Sequence, residues 1–148
     1  MFKKILVALE NSNADRSLLP RIEKLASLMH SELLLVHVAD GWVARNFVQL
    51  KLAESEEMKA DRQYLEETAA RLSATGLTVS VQLALGDPAS EIVKVAQTAQ
   101  CDLIAMTTHG HRLIGDLIHG STIEAVRHRS IIPLFVVPPA PSAAPQRF

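Results

Sequence analysis

Short apolar runs alternate with longer amphipathic stretches along most of the chain, and this alternation constrains the fold more than any other feature. The apolar runs span residues 5–9, 33–38, 78–83, 102–106 and 134–137. They are too short for helices and are typical of buried strands. Between them, apolar residues recur at helical spacing, as Leu18, Ile22, Leu25 and Met29 do. Strands that alternate with helices predict a doubly wound α/β fold: a five-stranded parallel sheet with helices on both faces, in a single domain.

Turn residues mark where two of the predicted helices end or begin. Gly76 predicts the end of a helix that buries Met58, Leu65 and Leu72. At the next helix, Asp87 is a capping residue and Pro88 suits the first helical position. The helix before Gly76 also carries a row of acidic residues, which we expect to face solvent: Glu54, Glu56, Glu57, Asp61, Glu66 and Glu67.

Composition excludes several classes of protein. The 148 residues contain 15 Lys plus Arg and 16 Asp plus Glu, so the net charge of −1 lacks the basic excess of a general nucleic-acid binder. One cysteine, Cys101, rules out an internal disulfide framework. No apolar run is long enough to span a membrane or to form a signal peptide. We therefore expect a soluble, cytoplasmic protein with neither a nucleic acid nor a membrane as partner.

A candidate anion site follows the fourth predicted strand. In doubly wound sheets, ligands bind beyond the carboxyl ends of the strands, where the strand order reverses. Gly110 and Gly120, which have nine residues between them in the loop from Thr107 to Gly120, allow backbone to approach a ligand closely. Gly120 also precedes a predicted helix, whose N-terminus favours an anion. A cationic rim that suits phosphates surrounds them: His109, His111, Arg112 and His119.

Other interpretations of the same loop stay open. Ser121 and Glu124 have the spacing of a capping box, and the glycines could simply form turns. Four of the six histidines lie between residues 109 and 128, which makes a metal site conceivable. A phosphate rim or a plain surface explains them with fewer assumptions, so we predict no metal held by protein ligands alone. Because no nucleophile stands beside an evident base, we also predict that the chain is not an enzyme.

The chain resembles the universal stress proteins over nearly its whole length. The resemblance is carried, in order, by segments 3–12 (KKILVALENS), 35–38 (LVHV), 86–88 (GDP), 106–110 (MTTHG), 120–121 (GS) and 132–137 (IPLFVV). It implies a stress-protein domain at 1–138, with an adenine nucleotide alpha hydrolase-like sheet, and a homodimer joined through the last strand, Leu134–Val137. Residues 139–148 are rich in Pro and Ala and predict a flexible tail.

The nucleotide-binding branch of that family holds ATP with a G-x2-G-x9-G-[ST] motif. Gly110, Gly120 and Ser121 match its last three fixed positions, but Thr107 stands in place of the first glycine. Glu10 stands where the family has an Asp at the end of the first strand. The resemblance implies binding of ATP, or of ADP or AMP, with magnesium on the phosphates. The implied binding residues are Ala8, Leu9, Glu10, Val38, Met106, Thr107, His109, Gly110, His111, Arg112, Gly120, Ser121 and Thr122.

Two functions follow from this resemblance. The first is an ATP-binding regulatory module of the stress response, in which nucleotide changes the loop from Thr107 to Gly120 and thereby a surface for an unknown regulatory protein. The alternative is a dimeric, stress-linked interaction protein of the same fold that binds no nucleotide. A histidine-based metal carrier is a third and weaker hypothesis.

Overall fold

Five parallel strands form one sheet in the computed structural model, which describes residues 1–39, 56–108 and 120–139. In chain order the elements are β1 (Lys4–Ala8), α1 (Asp15–Met29), β2 (Glu32–Ala39), α2 (Glu56–Ser73), β3 (Val79–Leu85), α3 (Pro88–Thr98), β4 (Leu103–Thr107), α4 (Gly120–Arg129) and β5 (Leu134–Val137). The predicted α/β fold is confirmed.

The strand order β3-β2-β1-β4-β5 reverses once, beside β1. The chain first adds β2 and β3 on one side of β1 and then places β4 and β5 on the other side. The crevice between the carboxyl ends of β1 and β4 is therefore the switch point at which ligands bind in sheets of this kind.

Helices cover both faces of the sheet because the strands are apolar on both sides. Within β1, Leu6 and Ala8 belong to the core under α3 and α4, together with Ile92 and Val126. Ile5 and Val7 belong to the opposite core, which packs against α1 and α2 through Leu18, Ile22, Leu65 and Leu72. Residues 5–8 are at most 2% exposed, as expected of a central parallel strand.

The ends of the elements follow local chemistry that the sequence shows only in part. The Asp87 side chain accepts a hydrogen bond from the Ser90 N–H at 2.9 Å, and Pro88 begins α3, as predicted. Gly76 follows α2 with a φ of 101°, which suits its predicted role as a stop. Helix α1 begins three residues before its first apolar residue, Leu18, and β3 and β4 are displaced by one or two residues from the predicted runs.

Several predicted features lie outside the described residues. These are the loop at 40–45, most of the loop between Thr107 and Gly120, and all but the first residue of the tail 139–148. Within the three described ranges, no helix is both long enough and apolar enough to cross a membrane.

Candidate functional site

Glu10 and Thr107 meet at the switch point of the sheet. Val7 and Ala105 are the last paired residues of β1 and β4, so the residues that follow Ala8 lie near Thr107. The Thr107 hydroxyl donates a hydrogen bond to Oε2 of Glu10 at 3.1 Å, and only 1% of Thr107 is exposed. The hydroxyl of Ser12 donates to Oε1 at 3.3 Å. The two residues that depart from the family pattern are thus direct hydrogen-bonding partners.

The Asp15 side chain stabilises the turn that carries Glu10. The N–H groups of Glu10 and Asn11 each donate to the Asp15 carboxylate at 2.9 Å, and the Tyr64 hydroxyl donates to it at 2.6 Å. These bonds hold Asn11 in the left-handed region, at a φ of 60°. Asn tolerates this conformation better than most residues do.

Burial raises the pKa of both side chains in the hydrogen bond between Tyr64 and Asp15. It raises the pKa of Asp15, against the opposing hydrogen bonds from Glu10, Tyr64 and Asn11. Burial, and then the charge of Asp15, raise the pKa of Tyr64 well above its ordinary value. Tyr64 therefore stays a hydrogen-bond donor throughout the physiological range.

A second connection runs from the same turn to His37 and Asp61. The Asn11 side-chain amide donates to Oδ1 of Asp61 at 2.9 Å, and Oδ2 of Asp61 lies 3.2 Å from Nε2 of His37. Nδ1 of His37 lies 2.9 Å from the carbonyl oxygen of Leu9. The contacts form a closed ring through Leu9, His37, Asp61 and Asn11.

Asp61 corrects one sequence-based expectation. It was placed on the exposed acidic face of its helix, yet it is 6% exposed. Asp61 lies three residues after Met58 and four before Leu65, so it shares the buried face of α2. The described members of the acidic row other than Asp61 are exposed as expected: Glu56, Glu57, Glu66 and Glu67.

Most described members of the predicted site have buried side chains. They are Ala8, Leu9, Val38, Met106, Thr107 and Thr122, all at most 6% exposed. Leu9 and the first turn after it lie at the end of β1, and Val38 lies near the end of β2. Because the side chains of Ala8, Leu9, Val38 and Met106 pack into the two cores, a ligand can reach these residues only through their backbone.

The phosphate side of the predicted site is described only where α4 begins. Gly120 and Ser121 are the first two residues of this helix. His109, Gly110, His111 and Arg112 lie outside the described residues, as does His119. Within the described residues, no three His, Cys, Asp or Glu side chains gather in a way that could hold a metal ion.

Sequence reasoning missed Asp15, Tyr64 and the burial of Asp61, which together with Asn11 fix the turn after β1. Two signals could have found part of this set. An acidic residue in the first turn of a helix that follows a strand can bind backbone N–H groups of the preceding turn. The spacing of Asp61 relative to Met58 and Leu65 predicts burial. Nothing in the sequence pairs Tyr64 with Asp15, 49 residues away.

A cleft of about 880 Å³ opens on the outer side of this turn, between α1 and α2. Asn11, Asp15 and Tyr64 contribute to its lining, together with Arg16 and Arg71. Its other lining residues come from α1 and α2 and from the turn between β1 and α1. The cleft is therefore distinct from the crevice between β1 and β4.

Comparisons with known proteins agree with the sequence resemblance. The Universal stress protein family model matches residues 1–138. Universal stress protein MJ0577 of Methanocaldococcus jannaschii is 26% identical, over 93% of this chain and 95% of its own length. The solved structure of MJ0577 superimposes with a TM-score of 0.75 at 27% identity, and covers 96% of this chain and 99% of that one.

Two further solved structures share the fold and contain a ligand. A universal stress protein from Archaeoglobus fulgidus in complex with dAMP has a TM-score of 0.69 at 16% identity, and covers 92% of this chain and 98% of that one. A universal stress protein in complex with cAMP has a TM-score of 0.64 at 18% identity, and covers 94% and 98%. At these identities the likeness is one of fold.

Proposed function

This chain belongs to the universal stress protein family, and we propose that it binds an adenine nucleotide, ATP foremost, at the carboxyl ends of β1 and β4. The observation that carries the proposal is the meeting of Glu10 and Thr107 at the one point where the strand order reverses. A partly buried carboxylate at this point suits the hydroxyl groups of a ribose, which are hydrogen-bond donors.

The start of α4 suits the phosphates. The first N–H groups of a helix lack partners within the helix, and the helix dipole is positive at this end. Gly120 adds no side chain that would keep an anion away from those groups. The sequence supplies His109, His111 and Arg112 in the preceding loop. Magnesium would be held mainly by the phosphates, as is usual for nucleotide sites.

The base and sugar would contact the strand ends. Val38 would present backbone groups there, because its side chain is buried in the core, whereas the N–H of Leu9 donates to the Val36 carbonyl oxygen and the Leu9 carbonyl oxygen faces Nδ1 of His37. The related structures with dAMP and cAMP support an adenine base as the common element of the ligand. The Thr107 hydroxyl donates its hydrogen bond to Glu10, so in this arrangement it cannot also donate one to a phosphate.

We further propose a regulatory homodimer rather than an enzyme, in the cytoplasm, with residues 1–138 as its domain and 139–148 as a tail. Strands β3 and β5 are the two edges of the sheet, and an exposed edge favours pairing with another chain. Ile131, three residues before β5, is fully exposed, and Val136 within β5 is 39% exposed, which supports the Leu134–Val137 edge as the contact. Nucleotide would alter the loop between Thr107 and Gly120 and so the surface offered to a regulatory protein.

One observation favours the alternative, a dimeric interaction protein that binds no nucleotide. The buried Thr107 side chain, in the place of a family glycine, occupies space beside Glu10. If that space is needed by the ligand, the same fold would persist without binding.

Titration calorimetry with ATP, ADP and AMP, each with magnesium, tests the proposal. Natural protein should bind, and Glu10→Gln should weaken binding about tenfold or more, since a hydrogen bond to a charged group is lost. Glu32→Gln is the matched control, because Glu32 is an exposed carboxylate at the opposite, amino-terminal edge of the sheet. Gly120→Val should abolish binding by placing a branched side chain before the N–H groups of α4.

The result that contradicts the proposal is absence of heat for all three nucleotides at millimolar concentration with the natural, folded protein. The dimeric alternative would then replace it. Equal weakening in Glu10→Gln and Glu32→Gln would contradict the location of the site.

A further inference from the structure

We propose that the cleft between α1 and α2 is a second ligand site, which binds a small organic molecule through a carboxylate or phosphate group. The cleft has a volume of about 880 Å³ and is lined by residues of α1, of α2 and of the turn between β1 and α1. This volume lies within the usual range of small-molecule sites. The inference goes beyond the proposed function, because the cleft is distinct from the crevice between β1 and β4 and needs no nucleotide.

The inner surface of the cleft is polar, buried and already hydrogen-bonded. Asp15 and Thr68 line the cleft although they are only 2% and 6% exposed. The Tyr64 hydroxyl connects them, because it donates to the Asp15 carboxylate at 2.6 Å and also shares a hydrogen bond with the Thr68 side chain. A ligand in the cleft therefore covers polar groups that have partners within the protein, and binding leaves none of the three side chains buried without one.

Two arginines supply positive charge to the same cleft. Arg16 follows Asp15 directly on α1 and Arg71 lies on α2, and both exposed residues line the cleft. Burial and the charge of Asp15 raise the pKa of Tyr64, whereas the charge of Arg71 opposes this rise, so the Arg71 guanidinium lies near the Tyr64 hydroxyl. Because Tyr64 binds Asp15, the two arginines approach the same end of the cleft from facing helices.

Neither arginine has an anionic partner within the part of the chain that the structure describes. No ion pair and no side-chain hydrogen bond involves Arg16 or Arg71 there. The cleft also contains Glu23 and Glu67, but neither lies within ion-pair distance of these two guanidinium groups. Glu67 instead accepts from the Gln63 side-chain amide at 2.8 Å, and Glu23 lies seven residues beyond Arg16 on α1. Two guanidinium groups are thus available to an anion from outside the chain.

The rest of the lining restricts which anion fits. A guanidinium group presents paired N–H donors that match the oxygens of a carboxylate or a phosphate. Leu19 and Pro20 of α1 offer apolar surface to the body of an organic molecule. Glu23 and Glu67 repel any further negative charge. We therefore expect one anionic group on an apolar body, rather than an inorganic ion or a polyphosphate.

Amide NMR titrations with phenyl phosphate, benzoate and benzylamine test the site, because these probes share one aromatic ring and differ in the charged group. Both anions should shift the signals of Arg16, Thr68 and Arg71 in a saturable way, with millimolar dissociation constants, since exposed ion pairs are weak. The anion that binds more tightly identifies phosphate or carboxylate as the preferred group. Benzylamine should bind at least about tenfold more weakly than that anion.

Substitution of the two arginines tests their role. Arg16→Gln and Arg71→Gln should each weaken binding of the anions about threefold or more, and the double variant should bind more weakly than either, because each change removes a charge that attracts the ligand. Arg21→Gln is the matched control. Arg21 is an exposed arginine of α1 that donates to the Ser17 carbonyl oxygen and does not line the cleft. This control should bind the anions as natural protein does.

Gly120→Val separates the cleft from the proposed nucleotide site. This variant should lose nucleotide binding and retain the phenyl phosphate shifts at Arg16 and Arg71. The inference is wrong if phenyl phosphate shifts only signals around α4, if neither anion gives saturable shifts in the cleft, or if benzylamine binds equally well. Equal weakening in Arg21→Gln and in the cleft variants would also contradict it. A protein that binds these anions in the cleft but no nucleotide would contradict the proposed function alone.

Discussion

The Asp15 carboxylate binds two backbone N–H groups and the Tyr64 hydroxyl although Asp15 is 2% exposed. Burial raises its pKa, so the folded protein holds a proton on Asp15 more readily than the unfolded chain does. By linkage, this group makes the free energy of unfolding fall as the pH rises from its ordinary pKa towards the raised one. The hydrogen-bond donors around Asp15 limit that loss.

Tyr64→Phe removes one of these donors and should lower the free energy of unfolding by about 1.5–3 kcal/mol at pH 7. It should also raise the pKa of Asp15 further. The loss should therefore be smaller at about pH 4, where a larger fraction of Asp15 is protonated. Urea denaturation at the two pH values measures the difference, and an equal loss at both would show that Tyr64 does not stabilise the charged form.

The contact between Glu10 and Thr107 predicts that these two residues are energetically coupled. Glu10→Ala, Thr107→Val and the double variant form a double-mutant cycle, which removes contributions that each residue makes to other neighbours. Because the hydroxyl of Thr107 donates to the Glu10 carboxylate, we expect a coupling energy of about 0.5–3 kcal/mol in urea denaturation. Additive effects would contradict the contact.

At the scale of the elements, Asp87 and Ser90 fix the start of α3 and connect this helix to α4. The Asp87 carboxylate accepts from the Ser90 N–H, which lowers the pKa of Asp87, and Arg129 of α4 donates to the Ser90 hydroxyl at 2.8 Å. Since the pKa is lowered on folding, this stabilisation is present above the ordinary pKa of Asp and is lost as the pH falls through the lowered one.

Asp87→Ala should reduce the free energy of unfolding by about 0.5–2 kcal/mol at neutral pH, which is the usual cost of losing a helix cap. The difference from natural protein should shrink in acid, below the lowered pKa. Glu66→Ala is the control, because Glu66 lies on the exposed face of α2. Urea denaturation from pH 7 into acid follows both, and a loss that does not change with pH would contradict the role of the charged cap.

Strands and helices were predictable here because each apolar pattern reports on burial against a neighbouring element. The last strand has the predicted bounds, and the helix stop at Gly76 and the helix start at Asp87 and Pro88 lie where the turn residues predicted them. The apolar pattern, which starts at Leu18, does not give the start of α1, because Asp15 begins that helix and binds N–H groups of the preceding turn.

At the scale of the whole molecule, the edge strand β5 is where a second copy would add. Phe135 and Val137 are apolar residues of this strand, but both pack against the core that faces α1 and α2. Lysine at these positions would damage the fold itself. Ile131 and Val136 are exposed and test the edge without that complication.

Ile131→Lys combined with Val136→Lys should shift the protein from dimer towards monomer, because charged side chains at an edge oppose strand pairing. Light scattering coupled to size-exclusion chromatography measures the mass. Leu28→Lys is the control, since Leu28 is a 70% exposed apolar residue on α1. An unchanged dimer in the double variant, or an equal shift in the control, would contradict the assignment of β5 as the interface.

The sequence predicted the location of the candidate site, but it did not predict the side-chain contacts within it. Alternating elements place the ends of β1 and β4 together because a doubly wound sheet allows few strand orders. The contacts of Asp15 with Tyr64 and of His37 with Asp61 join residues 49 and 24 positions apart, on elements whose packing angle no sequence pattern reports. The pairing of Glu10 with Thr107 likewise emerges only from the register of β1 and β4.

The N–H groups of Glu10 and Asn11 donate to a buried carboxylate, although Asn11 and the two residues after it are exposed. These two protons should therefore exchange with deuterium as slowly as those of the central strands, in a segment that looks like an open loop. The hydrogen bonds to Asp15 fix this backbone before any ligand binds to it. Little conformational entropy then remains to be lost on association, so weak contacts at the turn can still yield useful affinity.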